Sequence, residues 1–225
     1  MMDLQGFGAQ IFAGAVTTLQ VASLSLVFGT CLGLLAAVGR LSSLPLLGGI
    51  VGAYTTVIRG IPELLILLIL YFGGTVALTA LFDRYVEVSA FAAGVFALTV
   101  VFGAYASEVF RGAILAVPSG QIEAAHALGL SRLQVWRLVV LPQMWRFALP
   151  GLGNLWLVLL KDTALISVVG LDDLMRKAGL AAGSTHEPLM FYGVAAAIYL
   201  LFTSVSLLAL NILERRASRG IRFVH

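Results

Sequence analysis

From Leu4 to Gly39 this chain carries no charged residue, a run of 36 positions. A helix needs about 20 mostly apolar residues to cross a bilayer. Similar runs follow, so the first constraint on the fold is lipid. The expected spans are 10–38, 61–82, 88–107, 147–170 and 188–213. The stretch 46–58 is also uncharged but holds only 13 residues between Pro45 and Arg59, which suits an interfacial helix rather than a crossing. The fold class is therefore an all-α membrane protein, one transmembrane domain over 1–225.

Composition agrees. Hydrophobic residues make up 60% and charged residues 11% of the 225, against about 25% charged in a soluble domain. That excludes an ordinary soluble enzyme and a disordered chain. No cleavable signal peptide is evident, because the N-terminus lacks a positive region and its apolar run is too long. Cys31 is the single cysteine, so no internal disulfide forms; an inert buried thiol is expected. Gly29 and Gly33 form a small-xxx-small pair that lets helices approach closely.

Five spans place the termini on opposite sides. With the N-terminus outside, ten arginines fall inside (Arg40, Arg59, Arg111, Arg132, Arg137, Arg146, Arg215, Arg216, Arg219 and Arg222). Only Arg84, Arg176 and Lys177 fall outside. Basic residues favour the cytoplasmic side, so the N-terminus is expected outside and the C-terminus inside.

The internal segment Arg111 to Arg146 is patterned. Pro118 precedes a short helical run, and Gly129 stands where a helix-terminating glycine belongs. Ser131 and Gln134 have the spacing of a capping box. Pro142 is expected to break the second helix. On pattern alone this is either an amphipathic loop on the headgroups or a docking element. Nucleic-acid binding is not expected, since no base-reading helix is apparent.

Glu123-Ala124-Ala125, Gly129 and Val139-x-Leu141-Pro142 resemble the EAA loop of the ABC-importer permeases, with valine for isoleucine at 139. Thr17-Thr18-Leu19, Arg59-Gly60-Ile61-Pro62, Glu108-x-x-Arg111-Gly112 and Lys161-Asp162-Thr163-Ala164-Leu165 are similar to its polar amino-acid subfamily. Glu63, Ala148-Leu149-Pro150-Gly151 and Gly170-Leu171-Asp172-Asp173 resemble the Q-type membrane subunits for histidine, lysine, arginine and ornithine. The resemblance implies a type I importer transmembrane domain with a cytoplasmic coupling helix. Glu123, Ala124, Ala125 and Gly129 would sit at the joint with the ATPase, with Glu123 orienting the loop and Gly129 making its turn. It also implies two copies of a separate ATPase that binds ATP and magnesium, a periplasmic solute-binding protein, and a second, M-type permease chain in a heterodimer. No cofactor is expected on this chain. Its two lysines, Lys161 and Lys177, are not followed by Ser or Thr, so it has no P-loop.

Charges inside spans mark function or an internal partner. Asp162 either lines a substrate path for cationic solutes or caps a helix break. Glu63 either adds a second negative group at the cytoplasmic end of the second span or pairs with Arg59. Glu108 and Arg111, three apart, are expected to pair. Asp172 and Asp173 lie in the outer segment, where a binding protein would dock. His126, His186 and His225 are scattered, so neither a metal site nor a catalytic triad is expected. The reading is an inner-membrane ABC permease for polar, basic amino acids. The alternatives are a permease for opines or glutamine, and a stand-alone secondary transporter.

Overall fold

The computed structural model describes residues 4–217. The basic tail beyond Ala217, with Arg219, Arg222 and His225, lies outside the described residues. The helices are α1 (Gly8–Arg40), α2 (Pro45–Gly60), α3 (Glu63–Phe82), α4 (Ala90–Leu115), α5 (Ser119–Ala127), α6 (Arg132–Val135), α7 (Leu141–Asp162), α8 (Leu174–Thr185) and α9 (Pro188–Ala217). A π turn, Trp136–Val140, joins α6 to α7, and a 3₁₀ segment, Thr163–Val169, extends α7. Five stretches are long and apolar enough to cross a membrane: α1, α3, α4, Arg132–Val169 and α9.

The centre is the α1–α4 pair. A Cβ on Gly29 would lie 2.7 Å from Phe102 Cδ1, and one on Gly33 would lie 2.7 Å from Ala106 Cβ. Close packing of this kind substitutes for the hydrophobic effect, which lipid does not supply between helices. Ser25 Oγ also donates to the carbonyl of Val95 at 3.3 Å. The contact numbers rise together along both helices, so α1 and α4 run parallel. α7 packs antiparallel on α4, with Gly94 against Ile166 and Gly151 against Val109. α9 packs antiparallel on α7, with Gly153 against Leu210 and Trp156 Nε1 donating to Ser206 Oγ at 2.9 Å.

Cys31, expected to be buried, is exposed. It falls between the two glycines that face α4, so helical geometry turns it outward.

α2 is too short to cross alone, as its length suggested. It nevertheless reaches inward: Tyr54 Oη donates to the carbonyl of Val100, 2.7 Å away and near the middle of α4. The helix ends at Gly60. Ile61 and Pro62 are extended, and α3 begins at Glu63. This break follows from Pro62, which disfavours helical backbone at the residue before it. α3 then rises to its own connection, where Thr75 Oγ1 and Thr79 Oγ1 accept from the backbone of Val88 and Val86.

Pro142 does not break the second loop helix as expected. Helical structure runs from Arg132 to Val169, and the π turn lies immediately before the proline. Proline removes one backbone donor and crowds the preceding turn; widening that turn accommodates it without a loop.

Candidate transport path and coupling element

Three regions contain the residues singled out by sequence. The first is a cavity of about 210 Å³ between α3, α4 and α7. Glu63 and Asp162 both line it, with Leu98, Phe102, Tyr105 and Leu159 among its other walls. Each carboxylate stands at a helix discontinuity: Glu63 just after the α2–α3 break, Asp162 at the change from α7 to 3₁₀. Glu63 is the first residue of the α3 span, as expected. It is level with Leu98 to Tyr105, the middle of α4. Its depth was not visible in the sequence because the α2–α3 pair rises together before the break. Lys161, one residue from Asp162, is exposed and does not line the cavity, as the 100° step of a helix requires.

Arg59 does not form an ion pair with Glu63 among the described residues; its guanidinium lies over the Tyr105 ring, 5.4 Å from the centroid. This cation–π contact, rather than a carboxylate, holds the Arg59 side chain. Glu108 and Arg111 do pair: Nε and Nη2 of Arg111 donate to Oε2 of Glu108 at 2.9 and 2.8 Å.

The second region is the loop from Pro118 to Pro142. α5 closes with a Schellman turn: Leu130 N–H donates to Ala125 O and Gly129 N–H to His126 O. Gly129 has φ +79°, the left-handed region, and a Cβ there would meet nothing within 4 Å. Backbone conformation, not space, is what calls for glycine. The Ser131–Gln134 capping box is present in both directions. Ala125 is buried, whereas Glu123 and Ala124 are exposed. Glu123 makes no hydrogen bond or ion pair with a described residue, so it does not orient the loop from within. That role falls to the Gln143–Gln121 side-chain hydrogen bond and to the turn itself. Leu128 and Leu133 stand 82% and 70% exposed, leaving an apolar tip without a partner within the described chain.

The third region is the segment that contains α8. Asp173 is not available to a docking protein: it is fully buried. Its Oδ1 accepts from the N–H of Arg176 at 2.8 Å, capping α8, while Oδ2 is buried without a partner. Burial pushes the Asp173 carboxyl up to about 6, against a weaker opposing effect of the α8 amide hydrogen bonds. Asp172 is exposed and meets Lys177 Nζ at 2.8 Å and Arg176 Nε at 3.4 Å. The hydrogen bond from Lys177 holds its carboxyl below the usual range. α8 falls between two expected spans, where no helix is expected. Its signal was the stripe Leu174, Ala178, Ala181 and Ala182, now buried against Ile11, Ala15 and Phe191.

Among the described residues no group of three His, Cys, Asp or Glu could hold a metal ion.

Known proteins share this architecture. The chain is 44% identical over 223 residues to the histidine/lysine/arginine/ornithine transport system permease protein HisQ of Escherichia coli strain K12, covering 97% of this chain and 98% of that one. It is 47% identical to the nopaline transport system permease protein NocQ of Agrobacterium fabrum, covering 96% and 94%. A crystal structure of an amino acid ABC transporter with histidines superposes with a TM-score of 0.82 at 36% identity, over 92% of this chain and 94% of that one. Residues 29–219 match the family described as binding-protein-dependent transport system inner membrane component. The chain belongs to that family, as the permease subunit of an ATP-binding-cassette importer, and the stand-alone carrier reading is not favoured.

Proposed function

We propose that this chain, paired with a second related permease, passes basic amino acids along a path lined by Glu63 and Asp162. The observation that carries the reading is their meeting in one apolar cavity, although they come from helices about 100 residues apart in sequence. Two carboxylates in a low-dielectric cavity attract a cationic side chain far more strongly than the same groups in water, and buried ionisable groups in a membrane protein mark substrate pathways. Discontinuous helices that meet deep in the bilayer are a recurring way to build such a site. The HisQ and amino-acid transporter likenesses support a basic amino acid.

On this reading the Pro118–Pro142 loop docks on a separate ATPase through its exposed Leu128–Leu133 tip, with Glu123, Ala124 and Gly129 at the joint. ATP and magnesium belong to that ATPase, present in two copies. The second permease is a related M-type chain. A solute-binding protein delivers the substrate to the outer face, where Asp172 is accessible. The N-terminus faces the periplasm and the C-terminus the cytoplasm. Withdrawing Arg59 from the inside tally, because it sits beside Tyr105, leaves nine basic residues inside against three outside.

The test is uptake by the reconstituted importer with Asp162→Asn and Glu63→Gln. Arginine uptake should fall about tenfold or more in each, with ATPase assembly retained. Unchanged arginine uptake in both variants would overturn the path assignment. An opine is the second reading, supported by the NocQ likeness. Uptake of nopaline in preference to arginine would establish it.

A further inference from the structure

A second groove lies on another side of α7, and nothing in the transport path uses it. It has a volume of about 410 Å³ between α1, α7 and α9. Leu26, Trp145, Leu152, Trp156, Leu210 and Leu213 line it, and its walls are almost wholly apolar. On α7 its residues are about a third of a turn from those that line the Glu63–Asp162 cavity. The groove and the cavity therefore open on different sides of α7.

Length and charge both identify an occupant. From Val205 to Arg216 along α9 the rise is about 16 Å, which is about one leaflet of a hydrocarbon core roughly 30 Å thick. The groove lies toward the end of the bundle that carries the coupling loop. There the two lining stripes continue into arginine. Arg146 stands one turn before Leu149 on α7, and Arg216 one turn after Leu213 on α9. Arg215 lies beside it. None of the three makes a hydrogen bond or ion pair with a described residue. Trp145, 45% exposed and stacked on Phe110 at 6.4 Å, stands at the same end, where tryptophan is favoured between hydrocarbon and headgroup.

We infer that the α1–α7–α9 groove is a binding site for one anionic phospholipid of the leaflet on the coupling-loop side. The acyl chain lies along Leu152, Trp156 and Leu210, and the phosphate rests between Arg146 and Arg216. Basic residues beside a gap between membrane helices are the recurring form of such sites. The occupant couples α9 to α7 at the root of the coupling element.

The importer complex, reconstituted in bilayers of phosphatidylcholine with a minority of phosphatidylglycerol and released in mild detergent, is analysed by native mass spectrometry for retained lipid. The wild type should retain phosphatidylglycerol over phosphatidylcholine by about 10- to 30-fold, as two arginines near a membrane surface imply. The R146Q/R216Q variant should lose that preference, and R146K/R216K should keep it, which separates charge from folding. Equal retention of phosphatidylglycerol by wild type and R146Q/R216Q would overturn the site. So would efficient crosslinking of a cysteine at Leu210 to the partner permease, which would show the groove covered by protein.

Discussion

The Pro118–Pro142 loop and helix α8 are both short helical elements at opposite ends of one bundle, and they are held in opposite ways. The loop is shaped from within. Its Schellman turn, capping box and Gln121–Gln143 bond all close over 22 residues or fewer. α8 is shaped from outside: Leu174 N–H donates to Thr18 Oγ1 across 156 residues at 3.1 Å, and Gly14 lies directly under the carbonyl of Asp173. An element held by local bonds keeps its form while moving as a body. An element held by distant ones is fixed to the scaffold. The first suits a joint and the second a foundation.

The sharpest way to break this contrast is at Gly14. A Cβ there would lie 2.7 Å from the backbone oxygen of Asp173, and backbone cannot step aside as a side chain can. Gly14→Val should therefore lift α8 from α1 and cost about 3 kcal/mol, read as a lowered melting temperature in detergent. An unchanged melt would mean that α8 is not anchored there.

Asp173 gives the next effect. Its carboxyl, raised to about 6 by burial, keeps a proton that the unfolded chain releases near 4. The extra stability is complete below about 4, disappears as pH rises through about 6, and stays absent above. Asp173→Asn keeps an oxygen to cap α8 and cannot ionise. It should flatten that pH dependence and raise stability at pH 7 by about 2 kcal/mol. Melts at pH 4.5 and 7.5 check both statements, and a variant as pH-sensitive as the wild type would contradict them.

Gly129 should behave differently. Gly129→Val forces a β-branched residue to φ +79°, a local strain of about 1–2 kcal/mol. The exposed loop can relieve that strain locally, so the melt should fall much less than for Gly14→Val, while substrate-stimulated ATP hydrolysis by the assembled importer falls. A melt lowered as far as by Gly14→Val, with normal coupling, would reverse the roles assigned to the two ends.

This difference also explains which parts were legible in the sequence. The five spans follow from length and charge alone. Gly129 and Ser131–Gln134 were readable because each motif acts on its own neighbours. The burial of Asp173 was not, because it depends on Gly14 and Thr18 in another helix; as a charged pair with Asp172 it reads as surface. The level of Glu63 within the bundle is hidden for a related reason. Pro62 announces a break, but only the packing of Tyr54 on Val100 shows how far inside the bundle that break falls. The candidate path was half legible: Asp162 stands out in an apolar span, while its proximity to Glu63 is tertiary.

The π turn before Pro142 has a mechanical meaning. Because the chain stays helical through it, Arg132 and Asp162 are the two ends of one strut about 45 Å long. On the proposed function, a thrust at the Leu128–Leu133 tip would reach the Glu63–Asp162 cavity along its axis rather than being absorbed by a slack connection. The widened turn and Pro150 are the two interruptions of its backbone ladder, so they are where such a strut can bend, and their positions bear on how a displacement at one end divides between tilt and translation at the other.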